Sequence, residues 1–473
     1  MKTECNSGAI EFQALGKREV VADFEGGTIT SDGGMLLLAE VERGRGIIRG
    51  FSKCFKDHRD PERIEHSVEA LMAQRIYALA QGYEDVNDHE TLRRDPLLAL
   101  AAGKADPTGQ DRGRARDKGC PLAGKSALNR LELTPADATA SSRYQKIVCD
   151  GEAVDLFFVE LFLSAHAAPP EEITIDVDAT EDILHGMQEG RFFHGYYGTY
   201  CYLPLYIFCG DFMLCARLRP SNIDASAGTA DELKRIVARI RQSWPETRIT
   251  IRGDSGFARE EIMAWCESEK VQYVLGLAQN KRLNREIAPL LAEAKEEHGR
   301  TGQAARRFKD FNYRTLKKTW SRERRVVAKA EHLEKGANPR FIVTSVPSGE
   351  TAGRELYEKV YCARGEMENR IKEQQLDMFA DRTSCATMRA NQLRLYQASV
   401  AYALVSELRR LGLKGTEMER AQSGTIRLKL LKIGAQIRVS VRRVWLRLSS
   451  ACPYQALVRT VVENIRKIYP LRV

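Results

Sequence analysis

The sequence predicts a mixed α/β protein: a sheet flanked by helices, interrupted by a β-rich insertion and preceded by a mainly helical region. Three observations predict it. Helical spacing runs through roughly the first 165 residues, strand patterns alternate with helices after about residue 170, and a second set of strand patterns precedes two long helical stretches.

The N-terminal region begins with the turn Ser31-Asp-Gly-Gly34, which caps Met35-Leu-Leu-Leu-Ala-Glu-Val. From Ile64 to Gln81, Val68, Leu71, Met72, Ile76 and Leu79 recur at helical spacing. A short loop, Gly82–Asp85, leads to a helix containing Thr91–Leu100, and the Gly-, Asp- and Arg-rich stretch from Gly103 to Gly119 reads as an exposed loop.

Strands are then predicted at Ile173–Asp178, Thr199–Phe208 and Phe212–Arg219, the last two joined by a Cys-Gly-Asp turn. Ala230–Ser243 reads as an amphipathic helix, Arg248–Arg252 as a strand, Arg259–Lys270 as a helix and Val271–Leu277 as a strand. The order β-β-β-α-β-α-β, with an acid closing the first and fourth strands, is what a ribonuclease-H-like core requires. A compact core would reach its last helix soon after. Residues from about 280 to 345 therefore read as an insertion, with strand-like alternation at Tyr313–Leu316, Arg325–Ala330 and Arg340–Val346. Helices follow from Gly353 to about Ala380 and from Met388 to Leu411. The tail from Thr425 alternates apolar and basic residues, as a hairpin or an amphipathic helix would.

Composition narrows the class. Apolar content of 43% with 29% charged residues is that of a soluble globular chain. The start is not that of a signal peptide, and no apolar run approaches the roughly 18 residues that span a bilayer. The 11 cysteines form no CxxC pair, so reduced thiols of a cytoplasmic protein are expected. The net charge of +9 is unevenly spread. Between Arg306 and Lys329 the only acids are Asp310 and Glu323, and from Arg420 to Val462 there is none. Either run alone suits a solvated basic face. Beside an acidic metal site, both suit a polyanion.

Three acids mark that site. Asp178 ends Ile173-Thr-Ile-Asp-Val-Asp, Asp254 ends Ile249-Thr-Ile-Arg-Gly-Asp, and Glu368 lies in the helical stretch Tyr361–Lys372. Carboxylates so placed can hold a pair of hard divalent cations, the usual apparatus for breaking and joining phosphodiesters. Alternation puts Asp176 and Asp178 on one face of their strand. Asp178, at the open strand end, is the favoured ligand and Asp176 the alternative. Tyr361, Arg364 and Glu368 share a helix face, where the phenol and guanidinium could grip phosphates. The plainer reading of the helix is solvent-facing pairs, Arg364–Glu368 and Glu368–Lys372. Gly119-Cys-Pro-Leu-Ala-Gly-Lys125-Ser126 fits the phosphate-loop pattern GxxxxGK[ST], but the polar stretch before it cannot be the buried strand such a loop needs, so no nucleotide site is expected.

These residues resemble the DDE transposases of bacterial insertion sequences, specifically the insertion sequence 1380 family, transposase DDE domain group 1. That family is related to the group with a spaced Tyr, Arg, Glu, Lys signature. Tyr361, Arg364 and Glu368 match the spacing, while the lysine position is Gln375, with Lys372 one turn earlier. The likeness extends to Gly186–Gly190, Leu218–Asn222, Arg252-Gly-Asp-Ser-Gly-Phe257 and Asn391–Leu395.

The resemblance implies a helical DNA-binding and assembly region (1–165), a ribonuclease-H-like catalytic domain (170–279 and 347–415), a basic β-rich insertion (280–346) and a basic C-terminal region (416–473). It implies that Asp178, Asp254 and Glu368 bind two Mg²⁺ ions, replaceable by Mn²⁺, and catalyse strand cleavage and transfer. Tyr361, Arg364, Lys372, Arg324 and Arg325 would contact DNA. Trp320, in Lys317-Lys-Thr-Trp-Ser-Arg-Glu-Arg-Arg325, would either stack on an extruded base or fill the insertion's core. The partners implied are double-stranded DNA (transposon ends and target) and a second copy in the DNA complex. Neither nucleotide nor membrane is expected, and the setting is the bacterial cytoplasm, at the nucleoid. A nuclease without strand transfer and an inactive DNA-binding derivative are the alternatives.

Overall fold

A computed structural model describes residues 9–316 and 319–471 of the chain. They divide into two compact units. One comprises residues up to Ser52, Asp57–Leu131 and Leu404 onward; the other comprises Lys53–Lys56 and Glu132–Ala403.

The second unit is built on a nine-stranded mixed sheet. Its strands are β1 (Glu172–Ala179), β2 (Leu205–Cys209), β3 (Phe212–Arg217), β4 (Arg248–Gly253), β5 (Gln272–Leu277), β6 (Ala305–Tyr313), β7 (Arg324–Leu333), β8 (Gly336–Ala337) and β9 (Arg340–Thr344). The spatial order is β3-β2-β1-β4-β5-β9-β7-β6, with β8 beside β7. β4 runs parallel to β1 and β5, while β2 is antiparallel to β1 and β3. Ile173, Ile175 and Val177 of β1 and Ile249 and Ile251 of β4 are buried. Leu233, Ile236, Val237 and Ile240 form the apolar stripe that Thr229–Ser243 contributes to the same core.

Two strand expectations shift. The segment predicted as one strand from Thr199 to Phe208 breaks into Thr199–Tyr202 and β2, because Pro204 has no N–H to give the ladder. The segment predicted as an insertion opens with two helices, Lys281–Glu286 and Ala288–Thr301. Its strands do not form a separate layer: β9 pairs with β5, Val274 opposite Thr344, and extends the same sheet.

The first unit is helical around Met35–Arg45 and Val68–Gln81, but Ile10–Leu15 and Arg18–Ala22 form an exposed hairpin. The tail contains both predicted forms in succession. Ser423–Leu431 is helical, Ala435–Val439 and Val444–Leu448 are a hairpin, and Gln455–Ile468 is a helix. Ala435 pairs with Thr30, so the C-terminal region belongs with the N-terminal one and the expected divisions at 165 and 416 do not match the units. Among the described residues every cysteine is a free thiol, and no helix is long and apolar enough to cross a membrane.

Candidate active site

Parallel pairing of β1 and β4 sets Gly253 opposite Val177. Asp178, the next residue of β1, and Asp254, the first residue beyond β4, are thereby neighbours at the ends of these two central strands. Each carboxylate is oriented by backbone: Asp178 Oδ1 accepts from Ala179 N at 2.9 Å, and Asp254 Oδ1 accepts from Gly256 N at 2.8 Å. The turn after β4 is tight. A Cβ on Gly253 would lie 2.7 Å from Val177 Cγ2, and Phe257 is sunk into the core at 1% exposure. These contacts give Gly253, Asp254, Gly256 and Phe257 of this block their places.

Glu368 comes from the helix Gly365–Lys372, flanked by π-helical turns at Leu356–Tyr361 and Glu373–Asp377. Such bulges redirect side chains within a helix. Arg364 joins this helix to the sheet, donating from Nη1 to Asp178 Oδ2 at 3.3 Å and from Nη2 to Glu368 Oε1 at 2.5 Å. The Tyr361 hydroxyl lies over the end of β5, where a Cβ on Gly276 would come within 2.7 Å of it. Lys372 is exposed, and Gln375 donates to the Glu181 carbonyl at 3.2 Å.

Burial pushes the Asp178 carboxyl up to about 7; Arg364 opposes the shift and Asp254 adds to it. Three carboxylates are a hard-oxygen donor set suited to Mg²⁺ or Mn²⁺. Among the described residues, no three acidic, histidine or cysteine side chains converge closely enough to chelate one ion as they stand, and Arg364 lies between two of the acids.

Asp176, the alternative ligand, is committed elsewhere. Arg252, directly across on β4, clasps it with Nε to Oδ1 at 2.5 Å and Nη2 to Oδ2 at 2.8 Å, and donates from Nη1 to the Val360 carbonyl at 2.6 Å. Arg252 thus ties β1, β4 and the Tyr361 segment together. An arginine inside an apolar strand was the one sequence signal for this role.

Of the insertion residues expected at DNA, Trp320 takes the second of its two expected places, in the core, and Arg324 and Arg325 are engaged by acids. Trp320 is 4% exposed and packs edge-on against Tyr313, with ring centroids 5.7 Å apart. Arg324 is buried between Glu260 and Glu267, and Arg325 pairs with Asp310. Arg306, Arg307, Lys309 and Lys329 are likewise paired, with Glu331, Glu297, Glu286 and Glu331. Folding therefore brings distant acids to a run that is locally basic; Lys317 and Lys318 lie outside the described residues. The C-terminal run differs: Arg438, Arg442, Arg443 and Arg447 stay exposed on the hairpin, around a half-exposed Trp445. At the phosphate-loop pattern, Lys125 N donates to Glu90 Oε1 at 2.8 Å, so a carboxylate takes the place a phosphate would need.

A model of the family described as transposase DDE domain group 1 matches residues 12–470. No curated protein matches the chain. Among solved structures, the chain is similar to a piggyBac transposase in a synaptic complex with hairpin DNA, at 12% identity and a TM-score of 0.39, covering 94% of this chain and 86% of that one.

Proposed function

The chain belongs to the transposase DDE domain group 1 family, and from that membership we propose that it is a DNA transposase. In this reading it binds the terminal inverted repeats of an insertion sequence, cuts there, and joins the freed ends to target DNA. The observation that carries it is the placement of Asp178 and Asp254 at the ends of adjacent parallel strands, with Glu368 linked to Asp178 through Arg364. The succession of three antiparallel strands, a helix, a parallel strand, a helix and another strand supports a ribonuclease-H-like core.

Asp178, Asp254 and Glu368 would hold two divalent cations. Bound there, Mg²⁺ or Mn²⁺ would supply Lewis acidity at the scissile phosphate and stabilise the departing oxygen. Positive charge between Asp178 and Asp254 removes the penalty that burial and mutual repulsion place on ionising Asp178. Arg364 and Tyr361 would hold the phosphates beside the scissile bond, with Lys372 further along the strand. Arg252 is a positioning residue, keeping the Glu368 helix in register with β1 and β4. Two ends must be paired, so a homodimer is the assembly expected on DNA.

The test mixes purified protein and Asp254→Ala with end-containing DNA and Mg²⁺ or Mn²⁺. Metal-dependent cutting and joined products are expected of the native chain, with cutting by Asp254→Ala reduced by about 1,000-fold or more, several kcal/mol of barrier. Binding without cutting overturns the enzymatic reading. Cutting without joining reduces it to a nuclease.

A further inference from the structure

Between β1 and β2 the second unit carries a small sheet of Asp182–Ile183, Phe192–His194 and Thr199–Tyr202, with Thr199–Tyr202 in the middle. Its tip is aromatic and open to solvent. Phe193 is 57% exposed, Tyr196 86% and Tyr200 44%. Phe193 and Tyr200 are cross-strand partners in edge contact at 5.6 Å, and the Arg191 guanidinium lies 3.9 Å over the Tyr200 ring. Tyr196 and Tyr197 meet edge to face at 5.0 Å across the turn.

This sheet is firmly held at its base. The Tyr202 hydroxyl donates to the Glu189 carbonyl at 2.6 Å, Glu189 N donates to Ala386 O at 2.8 Å, and Gln188 Nε2 donates to Thr383 O at 3.1 Å. Its location follows from the chain. Asp182 comes four residues after Asp178, and Tyr197 lies within the electrostatic reach of Asp178 and Glu181.

We propose that Phe193, Tyr196 and Tyr200, with Arg191, form a stacking surface for unpaired bases of the DNA strand whose phosphate lies at Asp178 and Asp254. The proposal rests on the transposase reading of that acidic site. Every base offers a π-face, and exposed rings interleaved with a guanidinium take unpaired bases irrespective of sequence. The segment from Gly190 to Tyr202 contains no acid to repel the backbone. Trp320, for which the family resemblance left either such stacking or a core role open, is packed in the core and has no open face to give. The rings of the small sheet have one.

The experiment measures binding of a duplex ending in a single-stranded overhang against the same duplex fully paired, with Ca²⁺ in place of Mg²⁺. The native chain should prefer the overhang by about 5- to 150-fold for each stacked base. Phe193→Ala combined with Tyr196→Ala should abolish that preference, leaving affinity for the paired duplex and the melting temperature unchanged; Tyr196→Phe should retain it. A preference that survives in the double variant, or is missing from the native chain while it binds duplex and cuts with Mg²⁺, overturns the stacking surface alone. A native chain that binds neither DNA overturns the transposase reading and the stacking surface with it.

Discussion

Arg252 and Asp176 form a two-pronged ion pair across adjacent parallel strands, at 2.5 and 2.8 Å, with side chains 9% and 5% exposed. Truncating one member leaves the other charged and buried. Asp176→Ala should destabilise the chain by about 3–5 kcal/mol in denaturant titrations while Mn²⁺ affinity at the neighbouring acids is retained. A stable variant that loses Mn²⁺ would restore Asp176 as a ligand.

Arg364 bridges Asp178 and Glu368, and a divalent cation held by those carboxylates competes with its guanidinium. Arg364→Gln should therefore bind Mn²⁺ more tightly, by up to about tenfold, and DNA more weakly. Electron paramagnetic resonance of free Mn²⁺ measures the first effect directly. Weaker Mn²⁺ binding would mean that Arg364 organises the acids instead of competing for them.

Trp320 closes the core beside Tyr313, with Arg324 5.5 Å from its ring centre. Trp320→Ala should cost about 3–5 kcal/mol of stability, as large-to-small core changes do. Its indole should also be sheltered from acrylamide in the native chain. Easy quenching would place the ring at the surface.

His89 is fully buried in the first unit. It faces Gln74 at 3.0 Å, has no hydrogen-bond partner for Nε2 among the described residues, and is held by burial at a pKa of about 3 against 6.5 for a free histidine. The fold thus requires the neutral ring. Its contribution is present above pH 6.5 and is lost as pH falls toward 3, with a slope of about 1.4 kcal/mol per pH unit. His89→Gln should flatten stability against pH by about that amount between pH 4 and 6. An unchanged slope would show that another group carries it.

The C-terminal hairpin presents Arg438, Arg442, Arg443 and Arg447 to solvent, with no ion pair to an acid among the described residues. Each phosphate contact adds about 0.9 to the slope of log affinity against log salt for duplex DNA. Replacing all four by Gln should lower that slope by up to about 3.6. Arg324→Gln should leave the slope unchanged and lower stability. The reverse result would return DNA binding to the segment around Arg324.

Apolar alternation and helical spacing are local properties of the chain, and they suffice to place the strands and helices around Asp178, Asp254 and Glu368 in order. The family is legible for a similar reason: Tyr361, Arg364 and Glu368 lie within one helical stretch. The partners of these residues come from folding. Strand register chose Arg252 for Asp176, the pairing of β9 with β5 turned an apparent insertion into part of the main sheet, and the return of Ala435 to Thr30 joined the two ends of the chain. Folding also sets which basic run stays basic: Glu260 and Glu267 reach Arg324, and Glu286 and Glu297 reach Lys309 and Arg307, while among the described residues no acid pairs with the hairpin arginines. A charge, or an aromatic ring such as Trp320 or Tyr196, takes its role from what folding packs beside it, and those neighbours are distant in the chain.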